Sequence, residues 1–496
     1  MKSCLCIALF SLCISLPCGG KNIVRDGISY TITSDTTVSI IGYKKNTKKS
    51  RVVIPSDITH NGIHYKVTSL EQNAFNGCQY IETLILPRTL TSIKQKSVTF
   101  CNSLYSITIP PDVSVIDDEA IFGNASLSEI KVDTLNKYYD SRFNCNAVIR
   151  KEDKALVVGC KKTLIPEGVS FIASGAFRNC SGLDSIIIPC GVEVIDSYCF
   201  YECSDLRHIT FQDGIKQIGD CSFEGCYSID SIFIPEGVKS IGGLAFFRCN
   251  ALKYINIPSS VEIIGYKAFA GCSSLSLIYV DPGNKVYSSY RGGNIVVDIT
   301  EKELIAGCAS SIIPDDIVTI GTGSFQSCYA IDSITLSDNV KFILDDAFHD
   351  CTGLKSISLT NSIVDIHSSA FMNCSMLSSI SLPDSLQIIW CDAFNGCKNL
   401  EEIVIPSNVW CIDVRAFMNC VNLESIIIPE EVREIGAFSF WGCNRLSSVV
   451  MLCSEPPTIC KNVFSSYGTL HVKKGLKTLY KKKKIWRRFK IVDDIL

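Results

Sequence analysis

A mainly β repeat solenoid is the fold this sequence predicts, on three observations. Eleven phenylalanines fall in two runs spaced 23 residues apart, Phe177, Phe200, Phe223, Phe246 and Phe269, then Phe325, Phe348, Phe371, Phe394, Phe417 and Phe440. Three residues after each stands a cysteine: Cys180, Cys203, Cys226, Cys249, Cys272, Cys328, Cys351, Cys374, Cys397, Cys420 and Cys443, with Cys78 after Phe75 as an earlier member. Short strand-like segments ending in proline recur at the same period. A fixed repeat of about 20 to 29 residues is that of a leucine-rich-repeat solenoid, in which one coil cannot bury its apolar face alone and must stack on the next. The expected molecule is a right-handed coil array of about sixteen units with a parallel strand ladder and a cap at each end. A linear array also explains how 496 residues form one body, because it grows by adding coils instead of enlarging one core.

Residues 1–20 read as an export signal. Lys2 is the charged start, Cys4 to Leu16 is an apolar stretch too short to span a bilayer, and Pro17 to Gly20 is a small-residue break, so cleavage near Lys21 is expected. Cys18 is where a lipid anchor would attach, although Pro17 and Ser15 depart from the usual lipid-attachment pattern. Residues 21–66 lack the Phe period and carry strand-like pieces (Ile28–Ile32, Val38–Tyr43, Val52–Pro55, His64–Val67), the expected N-terminal β cap covering an otherwise open strand edge.

The repeats occupy 67–130, 166–280 and 314–450. In the unit Leu183, Ile186, Ile188, Pro189, Val192, Ile195, Phe200, the isoleucines alternate with the period of two of a strand with one buried face. Pro189 ends the strand because it offers no backbone donor. The Phe fills the space between coils, where a large ring covers the most apolar area. The cysteine recurs at one phase of every coil, as a buried ladder position does, and packs there as a small hydrophobe with a weak donor. An exported chain with 27 Cys would ordinarily suggest disulfides; a column of equivalent sites gives no unique partner, so a thiol ladder is expected. Cys453 and Cys460, flanking Pro456 and Pro457, are the expected exception, a disulfide in a terminal loop.

The Phe spacing jumps twice, by 55 from Phe122 to Phe177 and by 56 from Phe269 to Phe325. The islands at 131–165 and 281–313 are copies: Asn136 and Asn284, Cys160 and Cys308, and Pro166 and Pro314 are each 148 apart. Each should form a strand pair bulging from one side, as a contact surface or as an adjustment of curvature. Thr99-Phe100-Cys101 and Phe122-Gly123-Asn124 shorten their turns and lose the cysteine three residues on, which predicts irregular early coils. Residues 451–496 form the C-terminal cap.

Net charge is −3, yet residues 470–496 carry ten Lys/Arg against two Asp, leaving about −11 elsewhere. Trp486, Phe489 and Ile491 interleave with the run Lys481 to Lys484, Arg487 and Arg488, which reads as the solvated face of a packed cap and not as a nucleic-acid site. No phosphate-binding loop, nucleophile elbow or zinc spacing is present, so no cofactor, metal or catalytic residue is expected. The exposed strand column is mostly serine, and against it Phe233, Tyr254 and Tyr279 come from consecutive coils with His208 one coil earlier. Clustered exposed aromatics suit a protein hot spot or a sugar platform.

With strands of the form Leu-x-x-Ile-x-Ile-Pro, the Ile-Gly-x-x-Ala-Phe turn and the following Cys, the chain resembles the BspA-like leucine-rich-repeat surface proteins over roughly Asp26 to Ile495. The resemblance implies an exported or surface-displayed, non-enzymatic adhesin whose partners are extracellular-matrix proteins, other cells or host receptors. A glycan-binding module using the aromatic patch is the alternative. No nucleic acid is implied, and membrane contact only through Cys18.

Overall fold

The computed structural model describes residues 22–45, 47–290 and 292–495; the leader and Cys18 lie outside them. It is a β-solenoid of about nineteen turns, three more than the Phe count suggested, because the islands and caps contribute turns of their own.

Up to three kinds of contact join one coil to the next. The strand Ser185–Ile188 buries Ile186 and Ile188, exposes Ser185 and Ile187, and pairs in parallel with His208–Phe211. A second, two-residue rung follows, Val194–Ile195 against Gln217–Ile218. The third is the Phe turn, where Phe200 N donates to Ser222 O at 2.7 Å and Phe223 N to Ala245 O at 2.8 Å. A left-handed residue stands two positions before and two after the turn Phe, as with Tyr198 (φ 58°) and Glu202 (φ 56°) around Phe200. This reverses the chain tightly enough to drop the ring inward, at a backbone cost of roughly 1–2 kcal/mol for each non-glycine residue there.

The rings stack along the axis with centroids 4.9 to 5.7 Å apart and interplanar angles of 4 to 10°, from Phe177 to Phe269 and again from Phe325 to Phe440. That separation follows the strand spacing of about 4.8 Å, so ring stacking and strand pairing reinforce one another. The third block runs one ring further, to Phe464 at 5.3 Å, which the strict 23-residue count missed.

The cysteines are free thiols, and most of the column is buried. Each donates to the carbonyl of the Phe one coil below: Cys203 Sγ to Phe177 O at 2.9 Å, Cys226 to Phe200 at 3.2 Å, and likewise from Cys351 to Phe325 through Cys443 to Phe417. Burial pushes the Cys203 and Cys397 thiols up to about 12, so they stay protonated and unreactive at neutral pH. The exceptions among the described residues are Cys78, Cys180 and Cys328, the first cysteines of their blocks, which make no such bond.

The early coils are regular, contrary to expectation. Their register is set by the left-handed pairs Lys96/Phe100 and Glu119/Gly123, which place Val98 and Ile121 in the ring position. Cys101 is therefore a ladder cysteine, with its Sγ 3.1 Å from Phe75 O. In the next coil Asn124 replaces the thiol: its Nδ2 donates to Val98 O at 2.9 Å and its Oδ1 accepts from Cys101 N at 2.8 Å.

The islands are also not outward bulges. Each is a three-stranded antiparallel meander, Tyr139–Asp140, Val148–Arg150 and Ala155–Val158 in the first, whose last strand rejoins the parallel ladder against Phe171–Ile172. Tyr287–Ser288, Val296–Asp298 and Glu303–Ala306 repeat the arrangement. The strand Ala155–Val158 is buried on both faces: Ala155, Val157 and Val158 belong to the core before the island and Leu156 to the core after it. The islands are thus partition walls that divide the interior into three hydrophobic cores. A strand pair with one wet face could not do this, which is why a third strand is present.

Single side chains fix each wall. Buried Asn136 donates to Pro110 O and Val113 O and accepts from Tyr138 N and Tyr139 N; Asn284 does the same with Pro258, Val261, Val286 and Tyr287. The Tyr139 hydroxyl accepts from Ile116 N at 2.9 Å, and Tyr287 from Ile264 N at 2.8 Å, satisfying the donor the interrupted ladder leaves open. Gly159 and Gly307 are required because a Cβ would lie 2.2 and 2.3 Å from the first ring of the next stack.

The terminal loop corrects the expected disulfide. Cys453 and Cys460 are both free; Cys453 turns inward, its Sγ 3.0 Å from Pro429 O, while Cys460 faces solvent. A carbonyl one coil below captures the inward thiol, as in the ladder. The cap closes on Tyr480 and Trp486, both buried, with Lys481 to Lys484 on its outer face.

Candidate functional site: the aromatic strand face

The aromatic face lies on the three-stranded piece Ser231–Ile232, Tyr254–Ile257 and Leu277–Val280. Alternation turns Ile255, Ile257, Ile278 and Val280 into the core and leaves Tyr254, Asn256, Leu277 and Tyr279 outside. Tyr254 pairs with Leu277 and Asn256 with Tyr279. The Phe233 ring lies 5.1 Å from that of Tyr254 at a tilt of 43°. Phe233 is 66% exposed, and Leu277 and Tyr279 stand about half open, so the patch has an aromatic centre and an aliphatic edge. Burial, and then the neighbouring Tyr279, raise the Tyr254 hydroxyl above its usual range, keeping it a neutral donor.

Three of the four candidate residues, Phe233, Tyr254 and Tyr279, therefore share one surface. The fourth, His208, is exposed one coil earlier, on a strand that pairs with Ser185–Ile188 and makes no ladder pairing with Ser231–Ile232. Leu277 belongs to the patch and was passed over because it is not aromatic; a leucine in a column of serines was the available signal. Asn256 is committed to the neighbouring coil, its Oδ1 accepting from Ile234 N and its Nδ2 donating to Ile234 O. The surface is apolar, with phenol hydroxyls as its polar tips and no side-chain amide free.

The island tips expose further apolar groups. Leu164 and Ile312 occupy matching positions, and Phe143 projects beside the first at a left-handed backbone position (φ 56°). Among the described residues no group of three or more His, Cys, Asp or Glu is placed to hold a metal, and no helix is long and apolar enough to cross a membrane.

A family profile described as the BspA type leucine-rich repeat region matches six copies over residues 53–151, 158–276, 306–409 and 365–478. The chain belongs to the BspA-type leucine-rich repeat family. Among solved structures, this BspA-type solenoid is similar to a leucine-rich cell surface protein of Faecalibacterium prausnitzii, at 25% identity over 87% of this chain and 95% of that one, with a TM-score of 0.52. A leucine-rich repeat protein of Bacteroides ovatus (20% identity, 88% and 99% coverage, TM-score 0.37) and the pneumococcal vaccine antigen PcpA (18%, 96% and 98%, 0.43) also match. No curated protein matches the chain.

Proposed function

We propose that this BspA-type solenoid is an exported, non-enzymatic surface protein that binds extracellular or host proteins through the apolar strand face around Phe233, Tyr254, Leu277 and Tyr279. The observation that carries the reading is the composition of that face: a tilted pair of aromatic rings in contact, with an exposed tyrosine and leucine, on a strand column that is otherwise mostly serine. Such a patch supplies the fully desolvated anchors that dominate protein interfaces. Export is supported by the leader at residues 1–20, by membership of the family and by the cell-surface description of the Faecalibacterium prausnitzii structure. With Asn256 committed to Ile234, the patch lacks the free planar amides that would orient a sugar, which favours a protein ligand here.

The test is binding of the mature chain to a panel of immobilised extracellular-matrix proteins. The expected result is saturable binding to at least one of them, weakened by about tenfold or more in the Phe233→Ala/Tyr254→Ala double variant, the loss expected of a hot-spot pair. Binding unchanged in that variant would contradict the assigned surface. Mass spectrometry of the mature N-terminus tests export: a start near Lys21, or a lipid on Cys18, is expected.

A further inference from the structure

A second surface, on another face of the coil, has the opposite chemistry. In the third block the residues just before the short second rung form a column, with Gln387, Trp410 and Arg433 on successive coils. Trp410 N donates to Gln387 O and Arg433 N to Trp410 O, each at 2.9 Å. Two residues earlier on the same face stand Ser385, Asn408 and Glu431. These six side chains line an open groove of about 550 Å³.

Trp410, at the middle coil of the three, is 41% exposed. Trp390 and Trp486 spend their indole N–H groups on Asp365 and on Pro457 O. Among the described residues the Trp410 Nε1 and the Gln387 side chain have no hydrogen-bond partner. Asn408 uses its amide N–H on Asp384 O and keeps its carbonyl oxygen free, while Arg433 and Glu431 pair loosely at 3.3 Å, leaving the groove uncharged overall. Earlier in the molecule the same column is saturated by its own ion pairs, Glu193 with Lys216 at 2.7 Å and Lys239 with Glu262 at 2.6 Å.

We infer that the Trp410 groove binds a neutral oligosaccharide. One face of a pyranose carries C–H bonds with partial positive charge, which stack on the electron-rich face of an indole. The ring's edge carries paired hydroxyls, each both donor and acceptor, which match the planar Gln, Asn, Glu and Arg groups flanking the tryptophan. The absence of net charge selects against an acidic sugar or a phosphate. Successive coils repeat these groups about every 4.8 Å, so the groove accommodates a chain of sugar units laid along the solenoid axis. This assignment is independent of the strand-face reading, because the two sites share no residue.

The experiment measures binding of cellohexaose, maltohexaose, chitohexaose and a mannohexaose to the full chain by titration calorimetry. At least one is expected to bind, with affinity falling by about tenfold or more in Trp410→Ala and recovering in part in Trp410→Phe, as for an aromatic anchor. Gln387→Ala should weaken binding by a smaller factor, and Phe233→Ala should leave it unchanged. An unchanged melting temperature in Trp410→Ala would show that the loss is local. The inference is overturned if none of the four binds the intact chain, if Trp410→Ala binds as tightly as the parent, or if Phe233→Ala removes binding instead.

Discussion

The Phe-stacked blocks and the island walls solve the same problem, covering one coil with the next, in opposite ways. In the blocks the solution is redundant: every coil contributes a ring, a thiol and a strand in identical register, and no member is unique. In the walls it rests on single groups, Asn136 or Asn284, Tyr139 or Tyr287, and Gly159 or Gly307, each making contacts nothing else duplicates. Repetition therefore gives the molecule its length, and the walls divide it into three cores. The proposed binding surfaces lie on a third kind of position, outward residues that neither the stack nor the walls require.

Removing a ring in mid-stack should cost most. Phe348→Ala deletes a fully buried side chain between two stacked neighbours and should destabilise the third block by about 3–5 kcal/mol. Chemical denaturation of the full chain would measure it; a loss under 1 kcal/mol would show that the stack does not hold the coils together. Asn284→Ala leaves the Val261 carbonyl and the Val286 and Tyr287 amides of the second wall without the Asn284 side chain, and Pro258 O with only the Val261 N–H, at about 2–4 kcal/mol. Hydrogen exchange should localise that loss to residues 281–313. If protection falls evenly along the chain instead, the wall is not a distinct unit. Gly307→Ala drives a methyl into the Phe325 ring and should cost about 1–3 kcal/mol, whereas Gly292→Ala, which meets nothing within 4 Å, should cost only the roughly 1–2 kcal/mol of its left-handed backbone and leave the neighbouring packing unchanged.

These contrasts also show how far the sequence could be read. The ring and thiol columns were legible because one residue type recurs at one phase. The early coils were misread for the same reason: Val98 and Ile121 take the ring position without being aromatic, so counting from Phe100 and Phe122 shifted the register by up to two residues. Counted from Ile121, both island gaps are 56 residues long. The duplication of the islands was visible, but their strand number was not, because burial on both faces depends on what stands above and below. The strand patch was legible from alternation, apart from His208, whose strand pairs with the coil before it and not with the Ser231 strand after it. The Trp410 groove was not found, since its six residues come from three coils and match no motif.

Smaller effects sharpen the comparison at the joints. Lys267 reaches across the second island to Asp346 at 2.5 Å, and Arg178 pairs with Glu119 across the first. Burial pushes the Asp346 carboxyl up, but hydrogen bonds from His349 and Lys267 outweigh it and hold it below the usual carboxylate range. The contribution is therefore present above the unfolded carboxylate value and lost as pH falls through the depressed folded value. Asp346→Asn should remove on the order of 1 kcal/mol at pH 7, and the difference from the parent should shrink below about pH 4. A difference that instead grew on acidification would refute the sign. Cys374→Ala, which removes one thiol donor among many, should cost about 1 kcal/mol.

The central claim is that the coils are held by stacked rings and by thiols bonded to carbonyls, without covalent cross-links. Mass-spectrometric counting of alkylated cysteines in the purified mature chain tests it most directly. Without reductant the denatured protein should label at all twenty-three described cysteines, and the native protein should label first at the exposed Cys190 and Cys460. Cysteines of the ladder that resist alkylation after denaturation, and yield only to a reductant, would contradict it.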